Sequence, residues 1–217
     1  MKMHAYVAGI GMTRFGNHLT VKLKDLAAEA IREALMDSGL NARDIQAAYM
    51  GNASAGVIQG QEMIRGQAVL RAMGIGKIPV INIENACATS STAFNQAAAM
   101  ITFGAYDVVL VCGYEKLFHE DKKRSFLAFD GAVDTEDPEG MSGALKRLAA
   151  AAGETVDAET DDKSRSVFVD IYGYMTKAHM KNYGTTREQI AGVTAMNSRH
   201  SSLNPRAQFP KVVTVAA

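Results

Sequence analysis

The 217-residue sequence has no tryptophan, only two cysteines and no excess of charge of either sign. Its 23 basic and 23 acidic side chains cancel, whereas nucleic-acid-binding domains usually carry a basic surface, so we expect no nucleic-acid partner. The two cysteines, Cys87 and Cys112, are too few for a disulfide framework or a cysteine-based metal site. Their scarcity indicates a reducing compartment.

Long apolar runs are also missing. No stretch is long enough to span a bilayer, and the first residues lead into an apolar segment without the charged-then-apolar pattern of a secretory signal. We therefore expect a cytoplasmic protein with no membrane span. The length suits one large domain, or a domain with an excursion.

Short apolar runs alternate with helical patterns over the first 113 residues. Apolar residues at helical spacing predict helices near residues 23–38, 61–73 and 87–103. Strand–helix alternation is typical of a mostly parallel sheet covered by helices on both faces, so the predicted fold class is α/β. The predicted strands are residues 5–11, 45–51, 78–83 and 108–112.

The pattern changes after Gly113. Residues 114–164 show no sustained period and carry a basic run, Lys122 to Arg124, and acidic segments that include residues 154–162. Helices are predicted near residues 142–152, 167–183 and 187–201. We predict two domains, an α/β core at 1–113 and a loop domain at 114–217, since long irregular excursions often form lids or binding loops.

Residues 82–94 contain the candidate catalytic residue, Cys87. A thiol between an apolar strand and a helix lies at the positive end of the helix, which favours the nucleophilic thiolate. Ligands of open parallel sheets gather beyond the carboxyl ends of the strands, where Cys87 is predicted to lie. The alternative is a buried structural cysteine. Cys112 lies within an apolar strand and is predicted to be a packed core residue.

Further segments match one family in order along nearly the whole chain. With residues 82–94, the chain resembles the thiolases, in particular the sterol-carrier-protein type and its bacterial acyl-CoA thiolase relatives. The other segments that carry the resemblance are Gly60-Gln61 with Arg65 and Gln67-Ala68, residues 109–116 ending in Gly113-Tyr114-Glu115-Lys116, residues 179–185, and residues 204–209.

The resemblance implies an acetyl-CoA acyltransferase. Such an enzyme cleaves or forms a 3-oxoacyl-CoA by ping-pong acyl transfer, here through a thioester on Cys87, which divides one difficult step into two easier ones. It implies acyl-CoA, a coenzyme A thioester, as substrate, with no covalently bound cofactor and no metal. The family holds coenzyme A in the region that corresponds to residues 114–184, but no binding residue is identified; Lys122 to Arg124 is either a phosphate contact or a solvated surface.

Two departures from the family pattern stand out. Ser90 occupies a position where the family typically has glycine, which affects the space for the substrate. The family's activating histidines and second cysteine belong to a C-terminal half with no counterpart in residues 1–217. We therefore expect a complementary C-terminal half or a second subunit, in a homo- or hetero-oligomer, and expect the isolated chain to be inactive.

Two other functions remain open at this point. One is a thiolase-fold retro-aldolase in which Cys87 is not acylated, and the other is a non-catalytic lipid-binding subunit. A cysteine-hydrolase elbow is disfavoured, because Asn85 and Thr89 stand where that motif has glycine. Ketoacyl synthases share the fold and the nucleophile position, but Tyr114 to Lys116 and residues 179–209 favour the thiolases.

Overall fold

The computed structural model describes residues 2–156 and 166–216. They group into two compact units, Met1–Ala128 and Phe129–Ala217. The predicted domains, 1–113 and 114–217, separate an α/β core from a loop domain by their proposed functions, and this division stays a prediction. Within the described residues there are three β-strands and eight α-helices: β1 (Ala47–Gly51), β2 (Val80–Ile83), β3 (Val109–Gly113), α1 (Leu23–Ser38), α2 (Ala55–Gln59), α3 (Arg65–Ala72), α4 (Thr89–Thr102), α5 (Lys122–Asp130), α6 (Pro138–Ala152), α7 (Val167–Tyr183) and α8 (Arg187–Ser202).

The three strands form one parallel sheet in the order β2-β1-β3. Gly51, the last residue of the central strand, is in register with Ile83 on one side and Gly113 on the other. All three strands therefore end at the same edge of the sheet. The predicted parallel α/β fold is confirmed.

Helices cover both faces of the sheet in the first unit. Met50 and Leu110 point into a core shared with α1 and α3, where Ile31 and Leu70 are each only 1% exposed. Tyr49 points to the opposite face and packs against α4. Because successive strand residues alternate between faces, one short apolar strand supplies both cores. Each fully buried aliphatic side chain contributes roughly 2 kcal/mol.

The prediction of a first strand at residues 5–11 is wrong. The segment lies alongside α1 and α4, and its backbone is bound by their side chains instead of by a neighbouring strand. The His4 N–H donates to Thr102 Oγ1 at 2.9 Å, and the Ile10 N–H donates to Asp37 Oδ2 at 2.8 Å. An apolar run becomes a strand only where a ladder partner lies beside it, and a cavity separates this segment from β3.

Two short helices were not predicted. Residues 52–60, which lie between a predicted strand and a predicted helix, contain α2, and the basic run at Lys122 opens α5. The α2 helix has local signals at both ends. Asn52 Oδ1 accepts from the Ala55 N–H at 3.0 Å, and Gly60 ends the helix at φ 74°, a conformation that glycine adopts without strain. The α3 helix begins at Arg65, four residues later than predicted.

In the second unit, capping residues set the helix starts. The Asp137 side chain accepts from the Gly140 N–H at the start of α6, with Pro138 at the first helical position. At α8, the Gln189 N–H donates to Thr186 Oγ1 at 3.3 Å, and the Thr186 N–H donates to Gln189 Oε1 at 2.8 Å. These two bonds form a capping box, which fixes the first turn of the helix. The predicted acidic segment at 154–162 extends into residues 157–165, which lie outside the described residues.

None of the helices described here is both long enough and apolar enough to cross a membrane.

Candidate active site at the Cys87 turn

Cys87 lies in a single turn of 3-10 helix that joins β2 to α4. This turn, Ala86–Ala88, leads directly into the fourteen-residue α4 helix. The Cys87 side chain is exposed. The thiol therefore lies beyond the carboxyl edge of the sheet, at the positive end of a long helix, in the surroundings that the sequence predicted.

The residue before Cys87 has an unusual backbone conformation. Ala86 has φ 44°, in the left-handed region that alanine rarely adopts. The Ala86 N–H donates to Glu84 Oε1 at 2.6 Å, and the Ala86 carbonyl accepts from Thr89 Oγ1 at 2.7 Å. Side chains on both sides of the turn thus hold Ala86 in this conformation, and with it the direction of Cys87.

Thr89 is the central polar residue of this turn. The residue is only 5% exposed, and its hydroxyl oxygen also accepts from the Asn85 N–H at 2.8 Å. The Asn85 side chain in turn donates to Thr92 Oγ1, one helical turn further on, at 2.9 Å. The turn before α4 is therefore fixed by a small network of side-chain hydrogen bonds.

Ser90, at the position where the resemblance implies glycine, is accommodated by glycines in the strands. A Cβ atom on Gly113 would collide with Ser90 Oγ, and one on Gly51 would come within 3.0 Å of Thr89 Cγ2. Glycine at the ends of β1 and β3 therefore lets the first turn of α4 lie close against the sheet edge. The helix still begins at Thr89, two residues after the thiol.

The charged residues after β3 bind neighbouring loops. The Glu115 carboxylate accepts four hydrogen bonds, from Asn52 Nδ2 at 3.1 Å, the Ala53 N–H at 2.9 Å, the Ser54 N–H at 3.2 Å and the Ser54 hydroxyl at 2.6 Å. The loop after β1 is thus held from the end of β3. In the sequence, the segment that contains Glu115 supports the family resemblance, but nothing in it indicates this hydrogen-bonding role.

Two basic side chains complete this framework. Lys116 Nζ donates to the Leu19 and Val21 carbonyls at 3.0 and 2.7 Å. Arg65 donates to the Asn52 carbonyl at 2.9 Å. Both cations thus bind backbone oxygens of loops, so these residues support the sheet edge near the site.

Cys112 occupies a different environment from Cys87. It is 5% exposed within the core between the sheet, α1 and α3. Burial raises the pKa of the Cys112 thiol to about 12, so it stays protonated at neutral pH. The prediction that Cys112 is a packed core residue is confirmed.

Three histidines have contacts close to them in sequence. His18 Nε2 lies 2.8 Å from the Arg14 carbonyl, and the Asp121 N–H donates to His119 Nδ1. The His179 ring packs against Tyr183. Among the described residues, no group of three or more His, Cys, Asp or Glu side chains is arranged to hold a metal ion.

Comparison with known proteins identifies the fold and the family. A family model described as the thiolase N-terminal domain matches residues 5–216. The acetyl-CoA acetyltransferase of Methanothermobacter thermautotrophicus is 34% identical over 209 residues, which are 96% of this chain and 48% of that protein. Sterol carrier protein 2 of Gallus gallus is 30% identical over 217 residues, which are 99% of this chain and 36% of that protein.

A solved structure with a similar fold is the Ltp2-ChsH2(DUF35) aldolase. It has a TM-score of 0.65 at 22% identity, over 96% of this chain and 46% of the other. The chain thus spans about half, or less, of the length of the proteins it matches.

Proposed function

The chain belongs to the thiolase family, and from that premise we propose that it carries the nucleophile of an acyl-CoA acyltransferase, with Cys87 as the residue that takes the acyl group. The observation that carries this proposal is the placement of an exposed thiol at the start of α4, after a strained residue held by side chains. Strain of this kind persists where the surrounding structure enforces it, often at functional sites.

The proposed reaction has two halves. The Cys87 thiolate attacks the β-carbonyl of a 3-oxoacyl-CoA, and the bond between the α- and β-carbons breaks. The shortened acyl group stays on sulfur as a thioester, while the α-carbon keeps the electron pair, takes a proton and leaves as acetyl-CoA. The thiol of a second coenzyme A then loses its proton and attacks the thioester, so that the acyl group leaves as the shortened acyl-CoA and the Cys87 thiolate is released.

Within this chain, the Cys87 N–H is the proposed donor to the oxyanion that forms during each attack. Its position at the start of α4 adds the favourable field of the helix. The α-carbon also needs a proton donor and acceptor, and Cys112 is unsuited to that role because it is buried and protonated. We therefore propose that polypeptide outside residues 1–217 supplies these groups.

The test is intact-mass measurement of the protein, in the assembly in which it is isolated from cells, after exposure to acetyl-CoA. We expect one acetyl group per chain, located at Cys87 by peptide mapping. The adduct should be absent from Cys87→Ala and retained in Cys112→Ala, which is the matched control within the same chain. A parent protein that turns over acyl-CoA without any adduct at Cys87 would contradict the proposal.

A second candidate function is carbon–carbon cleavage by a retro-aldol route. It is supported by the fold that this chain shares with a structure named as an aldolase. The sequence identity between the two, 22%, supports a shared fold only. In that reaction no thioester forms on the cysteine. The two candidates separate on one variant, since Cys87→Ala would remain active as an aldolase and would be inactive as an acyltransferase.

A non-catalytic lipid-binding role is a third candidate, favoured by the sterol carrier protein 2 relative. In that case acyl-CoA would bind to the assembly, with no adduct and no turnover in either cysteine variant.

A further inference from the structure

Ser90 fills the space between the first turn of α4 and the ends of two strands. A Cβ atom placed on Gly113 would lie 2.9 Å from Ser90 Cβ and would collide with Ser90 Oγ, and one on Gly51 would lie 3.6 Å from Ser90 Oγ. These glycines are the last residues of β3 and β1. The Ser90 side chain therefore points over the carboxyl edge of the sheet and packs against backbone.

Ser90 and Cys87 lie on one face of the chain. Cys87 belongs to the 3-10 turn Ala86–Ala88, and Ser90 follows three residues later as the second residue of α4. Side chains three residues apart eclipse one another in a 3-10 helix, and on an α-helix their Cβ atoms are about 5–6 Å apart. Both residues are exposed. The Ser90 side chain thus bounds the space that a group bound to the Cys87 sulfur would enter.

The other neighbours of Ser90 are held in place. Gly51 is in register with Ile83 on one side and with Gly113 on the other, so the strand ladder fixes both strand ends. Thr89 is buried, and its Cγ2 methyl group lies against Gly51. Closely packed surroundings of this kind respond to a change of even one methyl group. The room left beside the thiol is therefore set by the size of the residue at position 90.

We propose that Ser90 determines which acyl groups Cys87 accepts. Acyl groups that are unbranched at the carbon next to the carbonyl are accepted, and acyl groups with a methyl branch at that carbon are excluded. The inference rests on the proposed function, in which the Cys87 sulfur carries the acyl group. It names the substrate class of that site as straight-chain acyl-CoA.

Branching, and not chain length, is the feature that Ser90 detects. In the thioester the carbonyl carbon is bonded to sulfur, so the next carbon is held close to Cys87 and to the residue one turn further along. Atoms further along a straight chain can rotate away from Ser90, whereas a branch methyl group cannot. One such group that fits or fails to fit a tight site changes the ratio of kcat/KM values by about 10- to 200-fold.

A smaller residue at position 90 would make room for the branch. Serine carries a Cβ atom and an Oγ atom that glycine lacks, and alanine lacks only the Oγ atom, while the branch adds a single methyl group. The hydroxyls on either side are turned to the backbone of the turn, because Thr89 Oγ1 donates to the Ala86 carbonyl and Ser91 Oγ donates to the Ala88 carbonyl. Ser90 is therefore the residue to shorten.

The experiment compares butanoyl-CoA with 2-methylpropanoyl-CoA, whose acyl groups are isomers that differ only in branching. The protein is used in the assembly in which it is isolated from cells, and the rate of adduct formation at Cys87 is followed by intact mass. The measured quantity is the rate with the branched group divided by the rate with the straight group. We expect Ser90→Gly to raise this ratio by about tenfold or more, and Ser90→Ala to raise it by a smaller factor.

The matched control is Gln96→Gly. Gln96 is exposed in the same helix, nine residues after the thiol, so this variant weakens α4 without changing the space beside Cys87. Its rate ratio should equal that of the parent. Ser90→Ala keeps the test valid if Ser90→Gly unfolds, because alanine is the residue most favourable to a helix. A general loss of stability would slow both acyl groups together, so a change in the ratio reports specificity.

Two results would overturn the inference and leave the proposed function in place. The first is an adduct at Cys87 from both isomers with the same rate ratio in the parent, Ser90→Gly and Ser90→Ala. The second is an adduct from acetyl-CoA with none from either isomer in any of these proteins, which would place the limit on the acyl group elsewhere. A protein that turns over acyl-CoA but forms no adduct even with acetyl-CoA would overturn the proposed function, and this inference with it.

Discussion

Replacing Thr89 with valine tests whether the turn at Cys87 is held by the threonine hydroxyl. Valine has nearly the same shape, so the substitution removes the hydrogen bonds to the Asn85 N–H and the Ala86 carbonyl with little change in packing. Each neutral hydrogen bond contributes about 1 kcal/mol, so the turn should lose about 2 kcal/mol of local stability. Opening of the turn should then become about 30-fold more frequent.

The direct assay is hydrogen exchange at the Asn85 amide, which loses its acceptor in Thr89→Val and should exchange about 30-fold faster. The control is Thr89→Ser, which keeps the hydroxyl and should exchange like the parent. Ala86→Gly added to Thr89→Val should recover about 1 kcal/mol, because glycine adopts φ 44° without the cost that alanine bears. An Asn85 amide that exchanges at the parent rate in Thr89→Val would refute this account of the turn.

Three further predictions concern Glu115, Gly113 and Cys112. Glu115→Gln should lower the local stability of the loop at residues 52–54 by about 2 kcal/mol, which hydrogen exchange would detect as faster exchange of the Ala53 and Ser54 amides. Unchanged exchange would mean that the carboxylate charge is not needed. Gly113→Ala should destabilise the start of α4 by about 1 kcal/mol, because the added methyl group would collide with Ser90. Adding Ser90→Gly should remove that cost. Equal unfolding midpoints in urea for the parent and Gly113→Ala would contradict this prediction. Burial raises the pKa of the Cys112 thiol from its ordinary value of 9.0 to about 12 in the fold. The folded state therefore holds the thiol proton more tightly than the unfolded state, and stability should fall as pH rises from about 9 to about 12. Cys112→Ala should show a smaller loss over that range in urea titrations, and an equal loss would rule out the thiol as the cause.

Local signals in the sequence predicted much of the fold and the position of the candidate nucleophile. The α7 helix was predicted with its observed bounds and α8 within one residue, because caps and helical spacing are local features. The location of Cys87 was also predicted, because an apolar strand followed immediately by a helix leaves only a short turn between them, and Cys87 lies in that turn. The buried state of Cys112 followed from its place within an apolar run.

What the sequence could not predict depends on contacts distant along the chain. Residues 5–11 have the composition of a strand, but strand pairing is decided by what lies beside them. The role of Glu115 depends on a loop more than sixty residues earlier, at Ala53. The accommodation of Ser90 depends on Gly51 and Gly113, which lie on two different strands. In each case the sequence contains the residues involved but does not indicate which distant residues they contact in the fold.

The two cysteines give the strongest internal comparison for the proposed role of Cys87. Cys112 has the surroundings of a structural cysteine, since it is buried in the core and burial holds its pKa at about 12. Cys87 is exposed and follows a residue held at φ 44°. A left-handed alanine costs roughly 1–2 kcal/mol, and glycine at position 86 would avoid that cost. Neither the exposed thiol nor the strained alanine contributes to packing of the core, so the hydrogen bonds of Glu84 and Thr89 are best explained as fixing the direction in which Cys87 points.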